Sequence, residues 1–587
     1  MIVAMKKVTL LLAKKHRDSG LKRLRQLGVL HVHDLQPPAA EDIQSLEMKM
    51  ENIDRALTII DNDNLPTQTA SDDAAAVAEQ MLAFTQQKDA LTRELGEYQT
   101  MQQWFERWSD VSNASVQQLK ENGIFVRLYV TDKGAQKNIP GDKMIHVANE
   151  IQNTVYLALI SEAEDDRLDF KEETIPQIEP SEVHSKINEL TQTIEGINAK
   201  VTEMAEYQQA LIDLKSTLAK QLELSRVKYG MGDFGEIAGL QGFCPVEQLS
   251  YVQKAAEQEG WGYIVEEPDN PADVPTLIKT PKWLRMIQPV FSFMGTLPGY
   301  EEMDVSLVFL TFFSLFFAML VGDGGYGLVF LILTILIGRK SKSDFVKLLY
   351  VLSLSTIVWG LVTGNWFGSK TIIQLPFLKM FVIPKMDAFS DVSTPFVMQL
   401  SLTVGIIQLS VAHLMAAGKK SNSMTALADI GWVITLWGVF FVANQLVLGK
   451  EPPFFMKYML IGGMTTILLF ANFQKNILKG VLQTLGNLPL DVISSFSDIV
   501  SYIRLFAVGF ASFIVASSFN TMAVGSGIDS VVSGIIAAII LFLGHSLNIA
   551  LCGMAVLVHG VRLNMLEFSG HVGVQWTGKP YEPFKEK

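Results

Sequence analysis

Apolar positions along the chain change character near residue 300. Before it they recur at strand or helix spacing among polar residues; after it they merge into long continuous runs. Val8–Leu12 reads as a strand, Asp18–Leu27 as a helix, and Val29–Val32 as a second strand after the turn at Gly28. Residues 42–60 and 66–110 place apolar side chains three and four apart among Gln, Glu and Lys, which predicts helices. Ile124–Val130 and Thr154–Ile160 return to strand character. A further helical stretch runs through Val183, Ile187, Leu190, Ile194, Ile197, Val201 and Met204 to Leu211, Leu214 and Leu218, with one polar step near Gln208. Two such stretches in one chain predict an antiparallel hairpin with a small α/β unit at its far end; a homodimeric coiled coil or an ordinary bundle is the alternative. Gly239–Pro245 followed by a helix over Glu247–Glu259 predicts a second α/β unit, and the proline-rich residues 267–285 predict a linker.

The apolar half divides into eight predicted spans: 305–321, 324–338, 346–366, 396–416, 427–447, 455–473, 488–523 and 530–566. Gly322–Gly327 reads either as a turn between the first two spans or as a break inside one kinked element. An even count keeps both termini on one side. Arg339-Lys340-Ser341-Lys342, Lys419-Lys420 and Lys475 with Lys479 fall on the side of the N-terminal domain, as a cytoplasmic N-terminus requires, while Lys370, Lys379, Lys385 and Lys450 fall opposite. The predicted fold class is an α-helical polytopic membrane domain of about eight helices, residues 301–587, preceded by a cytoplasmic stretch, residues 1–300, in which an antiparallel coiled-coil arm joins two small α/β units.

Composition narrows the function classes. With 587 residues and a net charge of -12, the chain lacks the concentrated basic stripe of a nucleic-acid surface. Its two cysteines, Cys244 and Cys552, have neither metal-binding nor redox spacing and are expected to be reduced thiols. Lys14-Lys15-His16-Arg17 stands where a leader cleavage site would fall, so Met1–Ala13 reads as a first strand. Gly364–Thr371 resembles a phosphate loop but carries Ser369 in place of its last glycine and follows an apolar span, which argues against nucleotide binding. His31 and His33 share a strand face without a third ligand, so no metal or cofactor is expected.

The candidate chemistry lies in the last two spans. Arg504 interrupts a long apolar run, at an insertion cost of roughly 2.5–3.5 kcal/mol. It therefore needs a polar partner or a water-filled cleft. Asp498 and Ser501 precede it at three-residue spacing, close to one helix face, and Ser512 follows. The last span carries His545, Asn548, Cys552, His559, Arg562 and Glu567, the last expected at the cytoplasmic mouth. A guanidinium reaching the headgroups or paired with Asp498 is the structural alternative for Arg504. Asp304, Asp323, Gln408 and His413 are weaker signals, and Gly364 and Gly509 read as sites of close helix packing.

The ordered series of motifs carries a resemblance. Met5-Lys6-Lys7-Val8, Leu27–His31, Gly242–Pro245, Gly322–Gly327, Trp359–Gly364, Ser501–Ala507, His559–Leu563 and Tyr581–Phe584 together resemble the large membrane subunit of rotary V/A-type ATPases, subunit I in prokaryotes and subunit a in vacuolar complexes. The resemblance implies that the last two helices face a proteolipid ring, the c/K ring, whose carboxylates bind the transported H+ or Na+. It implies that Arg504 is the stator charge and Arg562 its partner, with Asp498, Ser501, Ser512, His545, Cys552, His559 and Glu567 along the path. ATP chemistry would occur in other subunits. The arms would bind the peripheral-stalk E and G/H subunits, the complex would include a central-stalk C/d-type subunit, and membrane lipids would surround the helices in a prokaryotic plasma membrane with both termini cytoplasmic. Two departures stand out: vacuolar relatives carry a glutamate where this chain has Cys552 and often a histidine where it has Ser512. A secondary transporter built on inverted repeats is the competing reading, but only one broken segment is visible. A membrane scaffold would leave Arg504 without a reason to be buried.

Overall fold

The computed structural model describes residues 1–60, 74–390, 392–473, 477–525, 527 and 530–586. Lys475 and part of the predicted 66–110 helix lie outside them. The chain forms two compact units, one of Met1–Leu12, Arg23–His33 and Gln241–Glu586, the other of Ala13–Lys22 and Asp34–Leu240.

In the second unit, helix Glu41–Ile59 runs antiparallel to helix Gln208–Gly230. Its direction is fixed by Tyr229 donating to Asp42 at 2.7 Å, Arg226 to Glu47 at 2.7 Å and Lys215 to Asp54 at 2.5 Å. Ile53, Ala56, Met81, Leu211 and Leu218 fill the seam. Helix Ala74–Arg107 packs against helix Pro180–Met204. The polar step near Gln208 marks a real break: a 3-10 turn at Ala205–Tyr207 splits the descending stretch in two. Beyond Arg107 an antiparallel sheet takes the order Met144–Ile151, Thr154–Ser161, Phe125–Asp132, Lys171–Glu173. Its first and last strands escaped the sequence reading: the first is largely exposed despite its apolar residues, and the last, Lys-Glu-Glu, is polar and only three residues long.

The first unit opens with a strand, Met5–Ala13, whose Met5, Val8, Leu10 and Leu12 are buried. It pairs antiparallel with Gly262–Glu266, Lys7 opposite Glu266 and Leu11 opposite Gly262. Strand His31–His33 pairs with residues 241–243. The tail after Val574 returns to this sheet. Tyr581 Oη donates to Val29 O at 2.6 Å, Phe584 N donates to Leu30 O at 2.8 Å, and the buried Phe584 ring receives Arg25 over its face at 5.7 Å. Phe584→Ala is expected to cost the docked tail about 3–5 kcal/mol, read as faster proteolytic trimming of the C-terminus.

His31 Nδ1 lies 2.9 Å from the carbonyl and 3.1 Å from the amide of Glu582. Burial, opposed by the Glu582 contact, holds its pKa below the ordinary 6.5. The ring is therefore neutral in the folded chain, and the unfolded chain takes up the proton first. Its contribution to tail docking is full above pH 6.5 and is lost as pH falls from there through the folded pKa. Hydrogen exchange at residues 579–586 should accelerate, beyond the intrinsic pH trend, between pH 7 and 5 in the native chain and less so in His31→Asn.

Five helices among the described residues are long and apolar enough to cross a membrane: Asp344–Thr363, Ser393–Lys419, Ala426–Leu448, Leu478–Val524 and Val531–Val572. Ser306–Val321 and Met456–Phe470 are apolar but shorter, and Gly324–Lys340 has 17 residues. The eight predicted spans thus become five by length. Gly322–Gly327 proves to be a break between two helices: Gly322 adopts φ 67°, and the Asp323 carboxylate accepts the amides of Gly325, Tyr326 and Phe367 at 2.8, 3.2 and 2.9 Å. Gly364–Ser369 is occupied with the same break, Asn365 donating to Gly322 O at 2.8 Å and Gly368 N to Asn365 Oδ1 at 3.1 Å.

Candidate functional site

The predicted 488–523 span starts earlier and is interrupted, with one helix at Ile477–Ser501 and the next at Ile503–Val524. Tyr502 occupies the joint because its ring is wholly buried and its hydroxyl donates to Gln408 Oε1 at 2.8 Å. Gln408 Nε2 in turn donates to Asn564 Oδ1 at 2.8 Å. These three polar side chains are fully buried, and each satisfies another. Gln408→Leu would strand a hydroxyl and an amide, so a loss of about 2–4 kcal/mol is expected from two desolvated groups, read as a lower melting temperature of the detergent-solubilised complex.

Arg504 sits two residues past the joint. Its Nη2 donates to Ser501 Oγ at 2.9 Å, while Nη1 is buried without a hydrogen-bond partner among the described residues. Among the described residues it forms no ion pair with Asp498, whose Oδ2 lies 3.1 Å from His571 Nε2. The three-residue step from Ser501 to Arg504 holds across the joint, while Asp498 pairs elsewhere.

The last span is also irregular. After helix Val531–Ala555 come two π-helical stretches, Val556–Gly560 and Leu563–Phe568, and helical backbone continues to Val572. Such wide turns rotate the residues that follow them and cluster at functional sites. Here they turn Glu567 inward: its side chain is 4% exposed, Oε1 stands 3.6 Å from Arg562 Nε, and Oε2 has no hydrogen-bond partner among the described residues. The expected mouth carboxylate is thus a buried one. Arg562, Glu567, Asp491, Asp498, His413 and His571 line one polar cavity of about 520 Å³. Arg504 and Arg562 both act electrostatically on Glu567 and on the partly exposed His559.

A second polar cluster gathers Ser512, Cys552 and His545. Ser512 Oγ and Cys552 Sγ lie 3.2 Å apart, and Asn548 Nδ2 donates to Ser512 O at 2.9 Å and to Tyr326 Oη at 3.0 Å. Tyr326 Oη meets His545 Nδ1 at 2.8 Å, and His545 Nε2 meets Asn520 Oδ1 at 3.2 Å. The two positions that depart from the vacuolar pattern therefore touch one another. His571, Asp429, Asp491, Tyr326 and Asn520 were not singled out from the sequence. His571 lies beyond the predicted end of the last span, and the others read as ordinary polar residues at or near the ends of apolar runs.

The helices bearing the arginines are the least covered of the long spans. Only 28% and 22% of their apolar windows are buried, against 61% and 50% for Ser393–Lys419 and Ala426–Leu448. On the last one, Leu543, Leu547, Leu551, Met554, Val558, Arg562 and Leu566 form an exposed stripe at helical spacing. On its neighbour, Ala507, Ala511, Ile514 and Ser518 continue from Arg504.

No family model matches the chain. It is 29% identical over 620 residues to "V-type ATP synthase subunit I" of Borreliella burgdorferi and 27% identical over 626 residues to "V-type ATP synthase subunit I 1" of Treponema pallidum, each alignment covering 100% of both chains. "A-type ATP synthase subunit I" of Methanocaldococcus jannaschii is 26% identical over 71% of this chain and 66% of its own. A crystal structure of the cytoplasmic N-terminal domain of subunit I, homolog of subunit a, of V-ATPase aligns at a TM-score of 0.23 and 15% identity over 44% of this chain and 99% of that one, too low a score to carry a fold assignment. From end to end, the chain is a homologue of subunit I of the V/A-type ATP synthases.

Proposed function

We propose that this chain is the stator subunit of a rotary V/A-type ATPase. It holds ion half-channels against a proteolipid ring and couples H+ or Na+ movement to ATP synthesis or hydrolysis performed by other subunits. The observation that carries this reading is the uncovered apolar face of two neighbouring helices, with Arg562 exposed on one and Arg504, half-buried, at the head of the exposed positions on the other. An exposed stripe of this length in a membrane faces lipid or another protein, and lipid alone gives no reason for Arg504 at that depth. A fixed cation there favours the ionised form of a passing ring carboxylate, promotes ion release and blocks leakage between the two polar clusters.

In this reading Ser306–Val321, Gly324–Lys340 and Met456–Phe470 are short or tilted spans that restore the count to eight. Residues 1–300 form the cytoplasmic stator, whose arms meet the peripheral-stalk E and G/H subunits, and residues 301–587 form the translocation domain in a prokaryotic plasma membrane. The chain itself is not catalytic for ATP. Disulfide trapping in the whole complex tests the surface: Leu551→Cys and Ala507→Cys should cross-link to cysteines placed beside the ring carboxylate, whereas the buried Ala516→Cys should not. Equal yields from both faces would reject the assignment.

A further inference from the structure

A row of buried titratable groups leads from the rim of the membrane domain into the cavity beside Arg562. Lys420 Nζ lies 3.0 Å from Asp429 Oδ2, and Asp429 Oδ1 lies 3.5 Å from His413 Nδ1. His413 Nε2 lies 2.9 Å from His571 Nδ1, and His571 Nε2 lies 3.1 Å from Asp498 Oδ2. Side-chain exposure falls from 49% at Lys420 to 10% at Asp429, 8% at His413 and 10% at His571, then rises to 29% at Asp498, and His413, His571 and Asp498 all border the cavity. Four separate helical segments supply Asp429, His413, His571 and Asp498, so the row is built by the fold. Trp432 stacks on His413 at 5.8 Å and 13°.

We propose that this row is a proton relay feeding the cavity, and that the ion taken up on this side is therefore H+. The inference rests on the stator reading above. Proton balance follows from the bonds. With both rings neutral, His413 Nε2–H donates to His571 Nδ1 and His571 Nε2–H donates to Asp498, leaving His413 Nδ1 as a buried nitrogen without a hydrogen bond. A proton reaching Asp429 from water passes to that nitrogen. The Nε2 proton of His413 moves to His571 Nδ1, and the Nε2 proton of His571 moves to Asp498. One proton enters, one leaves, and both rings end in the opposite tautomer; each is reset by giving its Nδ1 proton to water and taking one at Nε2, through the cavity that both rings line. Between entry and exit the imidazole pair carries one positive charge, and this charge and that of Lys420 are balanced by Asp429 and Asp498. Sodium cannot follow the row itself, because it must move between oxygen ligands and the middle of the row offers only imidazole nitrogen.

The test uses the whole complex in vesicles. ATP-driven flux in the native complex should be abolished by a protonophore and be indifferent to Na+. His571→Ala and His413→Ala should slow it roughly tenfold or more, and added imidazoles should restore it in the order of their basicity, which a purely structural histidine would not produce. Asp429→Asn leaves both rings in place, so it should slow flux even if the histidine variants fail to assemble. Native rates in assembled histidine variants or in Asp429→Asn, with Arg504→Ala still blocked, would overturn the relay and leave the stator reading standing. Flux that requires Na+ and survives a protonophore would overturn the proton assignment. Native flux in Arg504→Ala would instead remove the stator reading on which the relay rests.

Discussion

Arg504→Ala should abolish coupled ion transport while the complex still assembles. Two unit charges about 4 Å apart attract by about 4 kcal/mol at an effective dielectric near 20. At about 1.4 kcal/mol per pKa unit, that is nearly three decades in the ionisation of a facing carboxylate. A ring carboxylate that no longer meets a cation stays protonated or ion-bound, so rotation delivers nothing and ions leak between half-channels. Flux in vesicles is expected to fall by on the order of a hundredfold or more on this estimate, with normal recovery of the assembled complex on purification. Arg504→Lys separates charge from shape: it keeps the cation but loses the fork that lets Arg504 engage Ser501 and still direct Nη1 elsewhere. Partial transport in the lysine variant and none in alanine would assign the main role to charge. Native transport in alanine would reject the stator charge altogether.

The second large effect is expected at Gly509, one and a half turns beyond Arg504. A Cβ at Gly509 would stand 2.3 Å from the carbonyl oxygen of Met319, a backbone atom that cannot turn away. Gly509→Ala must therefore push helix Ile503–Val524 off helix Ser306–Val321, at a cost of about 1–3 kcal/mol. The larger consequence is positional, since moving that helix moves Arg504 with it. Coupled transport should fall together with thermal stability. Gly462→Ala, where a Cβ meets nothing within 4 Å, should change neither. Native stability and transport in Gly509→Ala would show that the two helices are not held this closely.

Much of the architecture was legible because local pattern decides it. Val8–Leu12 falls within the observed strand Met5–Ala13, and the single polar step near Gln208 coincides with a break. Both arginines announced themselves by charge in apolar surroundings. What stayed hidden depends on partners far away in sequence. His413 and His571 are 158 residues apart, and Gln408 and Tyr502 are 94 apart. No periodicity reports such pairs. The three-residue spacing of Asp498, Ser501 and Arg504 told only part: Ser501 accepts from Arg504 across the joint at Tyr502, while His571 takes the Asp498 carboxylate. The inward turn of Glu567 follows from π-helical backbone, which leaves no residue signature on the assumption of 3.6 residues per turn.

The returning tail has a consequence for biogenesis. Leu30 and Val29 receive Phe584 and Tyr581, residues synthesised after every apolar helix of the chain. These early strands must therefore wait, with part of their surface open, until the apolar helices between them and the tail have been made. Contacts spanning more than five hundred residues close last because loop closure precedes any gain from them. Docking of Phe584 would then act as a completion mark: a chain stalled before its final helices would expose Leu30 and the neighbouring sheet to chaperones and proteases, so that only fully inserted copies present a finished first strand layer for assembly.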